Sequence, residues 1–164
     1  MGTGTLTPIV SEACAADLPA LAALEAACFS QPLTAQQLAS QLPGPMHTML
    51  KAESADGSLL GYVGLTYVLD EGYINNVAVF PAARRCGVGS AVLTALIDRA
   101  EALGLSFLTL EVRAGNLPAI GLYEKHGFEK AGVRKNYYEK PREDAIIMTL
   151  TFSGGDTRSP EAVI

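Results

Sequence analysis

The chain has no tryptophan, two histidines and three cysteines among its 164 residues. His47 and His126 are far apart and neither stands in a metal-ligand spacing, so no metal site is expected. Cys14, Cys28 and Cys86 form no CxxC pair and leave one over, which argues for reduced thiols in the cytoplasm rather than a disulfide framework or a zinc site. No apolar run reaches the roughly twenty residues of a membrane helix, so no membrane span is expected. The opening MGTGTLTPIV lacks the basic segment and long apolar core of a secretory signal. Basic residues are outnumbered by acidic ones, 12 to 17, and the net charge of −5 weighs against non-specific nucleic-acid binding.

What is present is a globular composition. Hydrophobic residues make up 49% and charged residues 18%. At this length that suits one domain burying roughly two-thirds of its unfolded surface. Residues 6–10 read as a short first strand. Asp17 and Pro19 open a helix with Leu18, Leu21, Leu24 and Cys28 on one side. Thr34-Ala35-Gln36-Gln37 has capping-box form and starts a shorter helix, which Leu42-Pro43-Gly44-Pro45 ends. Residues 46–54, 59–69 and 73–79 read as an antiparallel meander with turns at Ala55-Asp56-Gly57-Ser58 and Asp70-Glu71-Gly72.

A helix follows from Val88 to Gly104, then an apolar strand at 107–112. Asn116 caps a further helix closed by Gly127, and two strands at 128–134 and 145–152 enclose a polar loop at 135–144. The expected fold class is α+β: one domain over residues 1–152, with a mixed central sheet of about seven strands and four helices. Residues 153–164 are composed like a flexible tail.

The segment Arg84-Arg85-Cys86-Gly87-Val88-Gly89-Ser90 joins the meander to a helix. Gly87 and Gly89 let the backbone approach a ligand closely, and the helix start offers free N–H groups and a positive dipole end. With Arg84 and Arg85 the combination suits a phosphate, although an ordinary loop with solvated arginines has the same composition. No Gly-Lys dipeptide occurs, which excludes a Walker loop. A Rossmann turn fails too: residues 80–86 separate the strand from the first glycine, and Val92 stands where the third belongs.

Arg84-Arg85-Cys86-Gly87-Val88-Gly89 resembles the Q/R-x-x-G-x-G/A element of the GCN5-related N-acetyltransferases (GNAT), and the order of elements over about residues 6–152 fits that superfamily. Leu69-Asp70-Glu71, Leu110-Glu111-Val112-Arg113-Ala114-Gly115-Asn116, Leu122-Tyr123-Glu124 and Asn136-Tyr137-Tyr138 are similar to the RimI-type members. Arg142-Glu143-Asp144-Ala145-Ile146-Ile147-Met148 adds to them. Those enzymes acetylate the N-terminal alanine of a small-subunit ribosomal protein. The resemblance implies acetyl-CoA as co-substrate, no metal, a cytoplasmic location and a peptide N-terminus as partner. It implies neither direct nucleic-acid binding nor membrane association, and a monomer or weak dimer. It further implies that residues 84–90 grip the pyrophosphate, that the backbone of Val77, Ala78 and Val79 pairs with the pantetheine arm, and that Asn116 contacts the coenzyme. Two positions depart from the family pattern: Leu33, where an aromatic is usual, and Gly115, where serine is frequent.

Acetyl transfer to an amine needs a base, a polarised carbonyl and a proton for the departing sulfur. Glu111, a lone carboxylate at the end of an apolar strand, is the candidate base. On residues alone the alternative is a strand-end carboxylate paired with Arg113 or solvent; the resemblance makes the matching residue the proton acceptor. Tyr123 is the candidate acid, since a phenol keeps its proton at neutral pH. Without the resemblance it reads as a core tyrosine. Gly121 costs its helix about 1 kcal/mol relative to alanine, which points to a close neighbour, either the coenzyme or packing. Tyr137 and Tyr138, placed on the polar loop, would wall the first residues of a peptide. Two alternatives stand beside this reading: a GNAT enzyme acting on lysine or a small amine, and an acyl-CoA-binding sensor, against which Glu111 and Tyr123 together speak.

Overall fold

The computed structural model describes residues 7–152. The expected tail, and residue 6 of the expected first strand, lie outside the described residues. The elements run β1 (Ile9–Glu12), α1 (Leu18–Cys28), α2 (Ala35–Ala39), β2 (His47–Glu53), β3 (Leu59–Val68), β4 (Glu71–Val79), α3 (Val88–Ala102), β5 (Phe107–Arg113), α4 (Leu117–Lys125), β6 (Glu129–Glu139) and β7 (Arg142–Thr151). This is the order the sequence predicts. The strands form one seven-stranded sheet in the order β1-β2-β3-β4-β5-β7-β6. Pairing is antiparallel for β1/β2, β2/β3, β5/β7 and β6/β7, and parallel for β4/β5.

Local chemistry accounts for the boundaries. The Thr34 hydroxyl accepts from Gln37 N at 3.2 Å while the Gln37 side chain accepts from Thr34 N at 2.9 Å, the reciprocal box that the spacing predicts. Asn116 Oδ1 accepts from Ala119 N at 3.2 Å and starts α4. Gly104 and Gly127 take φ of 78° and 96° where α3 and α4 end. The parallel pairing of Glu71, Gly72 and Tyr73 with Phe107, Leu108 and Thr109 brings the strands' side chains very close. A Cβ on Gly72 would meet Leu108 Cδ2 at 2.7 Å and Leu105 Cδ1 at 2.9 Å, so this pairing needs glycine there.

The described residues fall into two compact units, 7–66 with 75–97 and 67–74 with 98–152. The core of the first joins Leu21 and Leu24 of α1, Leu38 of α2, Met49 of β2, Tyr62 of β3 and Ala78 of β4. In the second, Phe107, Leu108, Leu110 and Val112 of β5 are buried, as are Ile120 and Tyr123 of α4, Phe128, and Ala145 and Met148 of β7.

Two expectations are corrected. Glu71 and Gly72, expected in a turn, already belong to β4 and pair with β5. The polar loop at 135–144 is a β-hairpin: β6 runs to Glu139 and β7 begins at Arg142, with Tyr138 paired to Glu143 and Glu139 to Arg142. Backbone pairing does not depend on side-chain polarity, so a charged strand at the sheet's edge hides the alternation that marks a half-buried one. Register shifts between Lys130 and Gly132 and between Arg134 and Tyr138, with Asn136 at φ 54°, obscure it further. Tyr137 and Tyr138 therefore lie on β6, not on a loop.

Candidate active site

In the first unit a turn of 3-10 helix at Pro81–Ala83 leads to Arg84, and α3 starts at Val88. Arg85 and Gly87 take φ of 64° and 86°. These two left-handed residues reverse the chain at the N-terminus of α3, where the first-turn N–H groups have no helical acceptor. A Cβ on Gly87 would meet nothing within 4 Å, so the backbone conformation rather than space calls for glycine. Val88, 1% exposed, anchors the helix start in the interior.

The two arginines differ. Both are exposed, but Arg84 folds back on the end of β4: its Nε donates to the Val79 carbonyl at 3.0 Å and its Nη2 lies 3.5 Å from Cys28 Sγ. The Cys28 thiol also donates to Val79 O, at 3.3 Å. Cys86 Sγ donates to Arg84 O at 3.5 Å. Val77 and Val79 are half-buried and Ala78 is buried.

A feature the sequence reading missed is Glu25 of α1, 1% exposed. Its Oε1 accepts from Leu33 N at 2.8 Å; its Oε2 accepts from the Tyr62 hydroxyl at 2.5 Å and from Asn76 Nδ2 at 2.8 Å. Burial and this carboxylate push the Tyr62 hydroxyl well above its usual range. The available signal was a charged residue on the apolar stripe, four positions after Leu21.

In the second unit Glu111, near the C-terminal end of β5, pairs with Arg134 of β6, Nε to Oε2 at 2.9 Å, with side chains 31% and 55% exposed. Glu111 is in register with Ile147 and Arg134 with Ala145, so the ion pair reaches across β7. Arg113, the partner in the alternative reading of Glu111, is engaged elsewhere. Its Nη1 donates to Glu143 Oε1 at 3.2 Å and to Pro141 O at 2.9 Å, and its guanidinium lies 4.3 Å from the centre of the Tyr138 ring. Tyr138 meets Tyr137 edge-on at 5.0 Å.

Tyr123 is 7% exposed, with its ring 5.8 Å from that of Phe128. Burial, helped by the neighbouring Tyr138, pushes its hydroxyl well up, so it stays protonated through neutral and mildly alkaline pH. Tyr138 is pushed up to about 12, first by burial and then by nearby groups that include Glu111. Tyr73, which the sequence reading did not single out, is also raised, by burial, by its hydrogen bond to Glu71 at 3.0 Å and by Glu111. The charge of Glu111 thus reaches two phenols, one on β4 and one on β6. A Cβ on Gly121 would meet nothing within 4 Å, so protein packing does not explain that glycine. Among the described residues, no group of three or more His, Cys, Asp or Glu is placed to hold a metal ion, and no helix is long and apolar enough to cross a membrane.

A family model described as "Acetyltransferase (GNAT) family" matches residues 18–128. The [ribosomal protein bS18]-alanine N-acetyltransferase of Escherichia coli K12 is 40% identical over 139 residues, covering 84% of this chain and 93% of that protein. The crystal structure of the ribosomal-protein-S18-alanine N-acetyltransferase from Escherichia coli superposes with a TM-score of 0.84 at 37% identity, over 93% of this chain and 99% of that one. Ard1 from Thermoplasma volcanium, at 24% identity, shares the fold with a TM-score of 0.81 over 90% of this chain and 99% of that one.

Proposed function

The chain belongs to the GNAT acetyltransferase family, whose members use acetyl-CoA, and we propose that it acetylates the N-terminal alanine of the small-subunit ribosomal protein bS18 or a similar peptide in the cytoplasm. The likeness to the Escherichia coli enzyme over nearly its whole length carries the substrate assignment. The chemistry agrees with it. A protein α-amine titrates about 2.5 pK units below a lysine, so freeing it at neutral pH takes roughly 3.4 kcal/mol less. A carboxylate base suits that easier task.

The turn fits an anion on its own geometry, since its backbone is reversed and open above Gly87. Arg85, Cys86, Gly87, Val88, Gly89 and Ser90 would hold the pyrophosphate, with Arg84 as the residue that fixes the end of β4. The backbone of Val77, Ala78 and Val79 would bind the pantetheine arm, with the Val79 N–H polarising the carbonyl, and Asn116 would touch the coenzyme. Acetyl-CoA supplies the activated acetyl thioester. Glu111 takes the proton of the attacking amine, and Tyr123, kept protonated by burial, gives its own to the departing sulfur. Tyr137 and Tyr138 line the path of the peptide's first residues, and Arg134 yields its place on Glu111 to the incoming amine.

Mass spectrometry of peptides incubated with enzyme and acetyl-CoA tests this. A peptide with a free N-terminal alanine should be acetylated faster than the same sequence blocked at the N-terminus and carrying lysine. Faster reaction of the blocked lysine peptide overturns the substrate assignment.

A further inference from the structure

The motif Arg142-Glu143-Asp144 takes no part in the chemistry above, yet its two carboxylates grip two segments of the second unit and reach a third through Arg113. Glu143 Oε2 accepts from Gly115 N at 2.6 Å, at the exit of β5 just before the cap of α4. Its Oε1 meets Arg113 Nη1 at 3.2 Å. Arg113 in turn donates to the carbonyls of Pro141 and Lys140, at 2.9 and 3.4 Å, and lies over the Tyr138 ring. Tyr138 is itself in register with Glu143. Beside it, Asp144 Oδ1 accepts from Asn136 N at 2.9 Å, within the irregular stretch before the tyrosines, and Ala114 N donates to Asp144 O at 3.0 Å.

From this we propose that Glu143 is a positioning residue for peptide recognition, acting through Arg113 to set where Tyr138 stands; this rests on the proposed function. The carboxylate neutralises Arg113 and aims its planar face, which holds the tyrosine ring. The hairpin ladder closes through Glu139 and Arg142 without any of these side chains, so the brace selects a position rather than the fold. Gly115 belongs to the same device. A Cβ there would come within 2.7 Å of Glu143 Oε2, so even alanine displaces the carboxylate. The departure from the family pattern at Gly115 thus gives Glu143 its seat.

Three variants test the brace from three sides. Glu143→Gln keeps an oxygen for Gly115 N but removes the charge facing Arg113. Arg113→Lys keeps a charge but removes the flat face, and Gly115→Ala pushes the carboxylate away. Each should raise KM for an alanine-ended peptide roughly five- to tenfold, with kcat and acetyl-CoA affinity changed by no more than about twofold. A fall in kcat with peptide KM unchanged overturns the proposal. Amide hydrogen exchange of the substrate-free protein supplies an independent readout. Faster exchange across 136–142 in Glu143→Gln and Arg113→Lys supports the brace, and unchanged exchange overturns it whatever the substrate. Failure of the unmodified enzyme to acetylate the alanine peptide would overturn the proposed function instead, leaving exchange to decide the brace.

Discussion

Glu25 on α1 and Glu111 on β5, one carboxylate in each compact unit, live in opposite circumstances. Glu25 is 1% exposed and surrounded by neutral donors: a backbone amide, a core phenol and an asparagine amide. Glu111 has a side chain 31% exposed and meets the guanidinium of a half-exposed arginine. Packing fixes the donors around Glu25, and taking any partner away leaves a buried polar group bare. A surface ion pair is worth no more than about 1 kcal/mol, so another cation can replace Arg134 at Glu111. A carboxylate that moves protons must be able to change partners; one that holds a fold together must not.

That contrast predicts four outcomes. The largest is kinetic: Glu111→Gln should lower kcat by roughly 10²–10⁴ in single-turnover assays while leaving the unfolding midpoint in urea nearly unchanged. Next, Glu25→Leu should leave buried donors without acceptors and cost about 3 kcal/mol in urea titrations, with turnover per folded molecule far less affected. A loss of turnover as deep as that of Glu111→Gln, with stability retained, would reverse the two roles.

The third outcome concerns alkali. Tyr62 and Tyr123 are both raised by burial above the ordinary tyrosine value. The folded state therefore keeps protons that the unfolded chain releases above about pH 10. Stability should be fully present below that pH and fall as pH rises beyond it. Tyr62→Phe should flatten the fall, whereas a decline equally steep in that variant would remove Tyr62 as a cause. The smallest effect is Arg134→Gln, expected to change unfolding free energy by less than about 1 kcal/mol because the arginine itself is more than half exposed.

The two carboxylates also mark where the sequence was legible. The glycine turn, the caps of α2 and α4 and the order of elements could be read because each depends on neighbours within a few positions. Glu111 stood out as a charge in an apolar strand, but its partner lies 23 residues away across another strand. No local spacing distinguishes Arg134 from Arg113 as that partner; the register of β5, β7 and β6 decides it. Glu25 was hidden differently. The stripe of Leu18, Leu21, Leu24 and Cys28 described the buried face of α1 well, and a charge on that face becomes intelligible only once Leu33, Tyr62 and Asn76 converge on it. The hairpin bearing Tyr137 and Tyr138 was read as a loop because its residues are polar, and only backbone pairing shows otherwise.

The margins of the sheet bear on how this protein behaves when concentrated. An outer strand offers a row of free backbone donors and acceptors to any other molecule that can line up with it. Here one margin is β1, only four residues long. The other is β6, studded with Lys130, Arg134, Lys135 and Glu139 and broken by two shifts of register. A short rim and a charged, kinked one give a second sheet little to join, so the same irregularity that hid β6 in the sequence also discourages fibrous stacking.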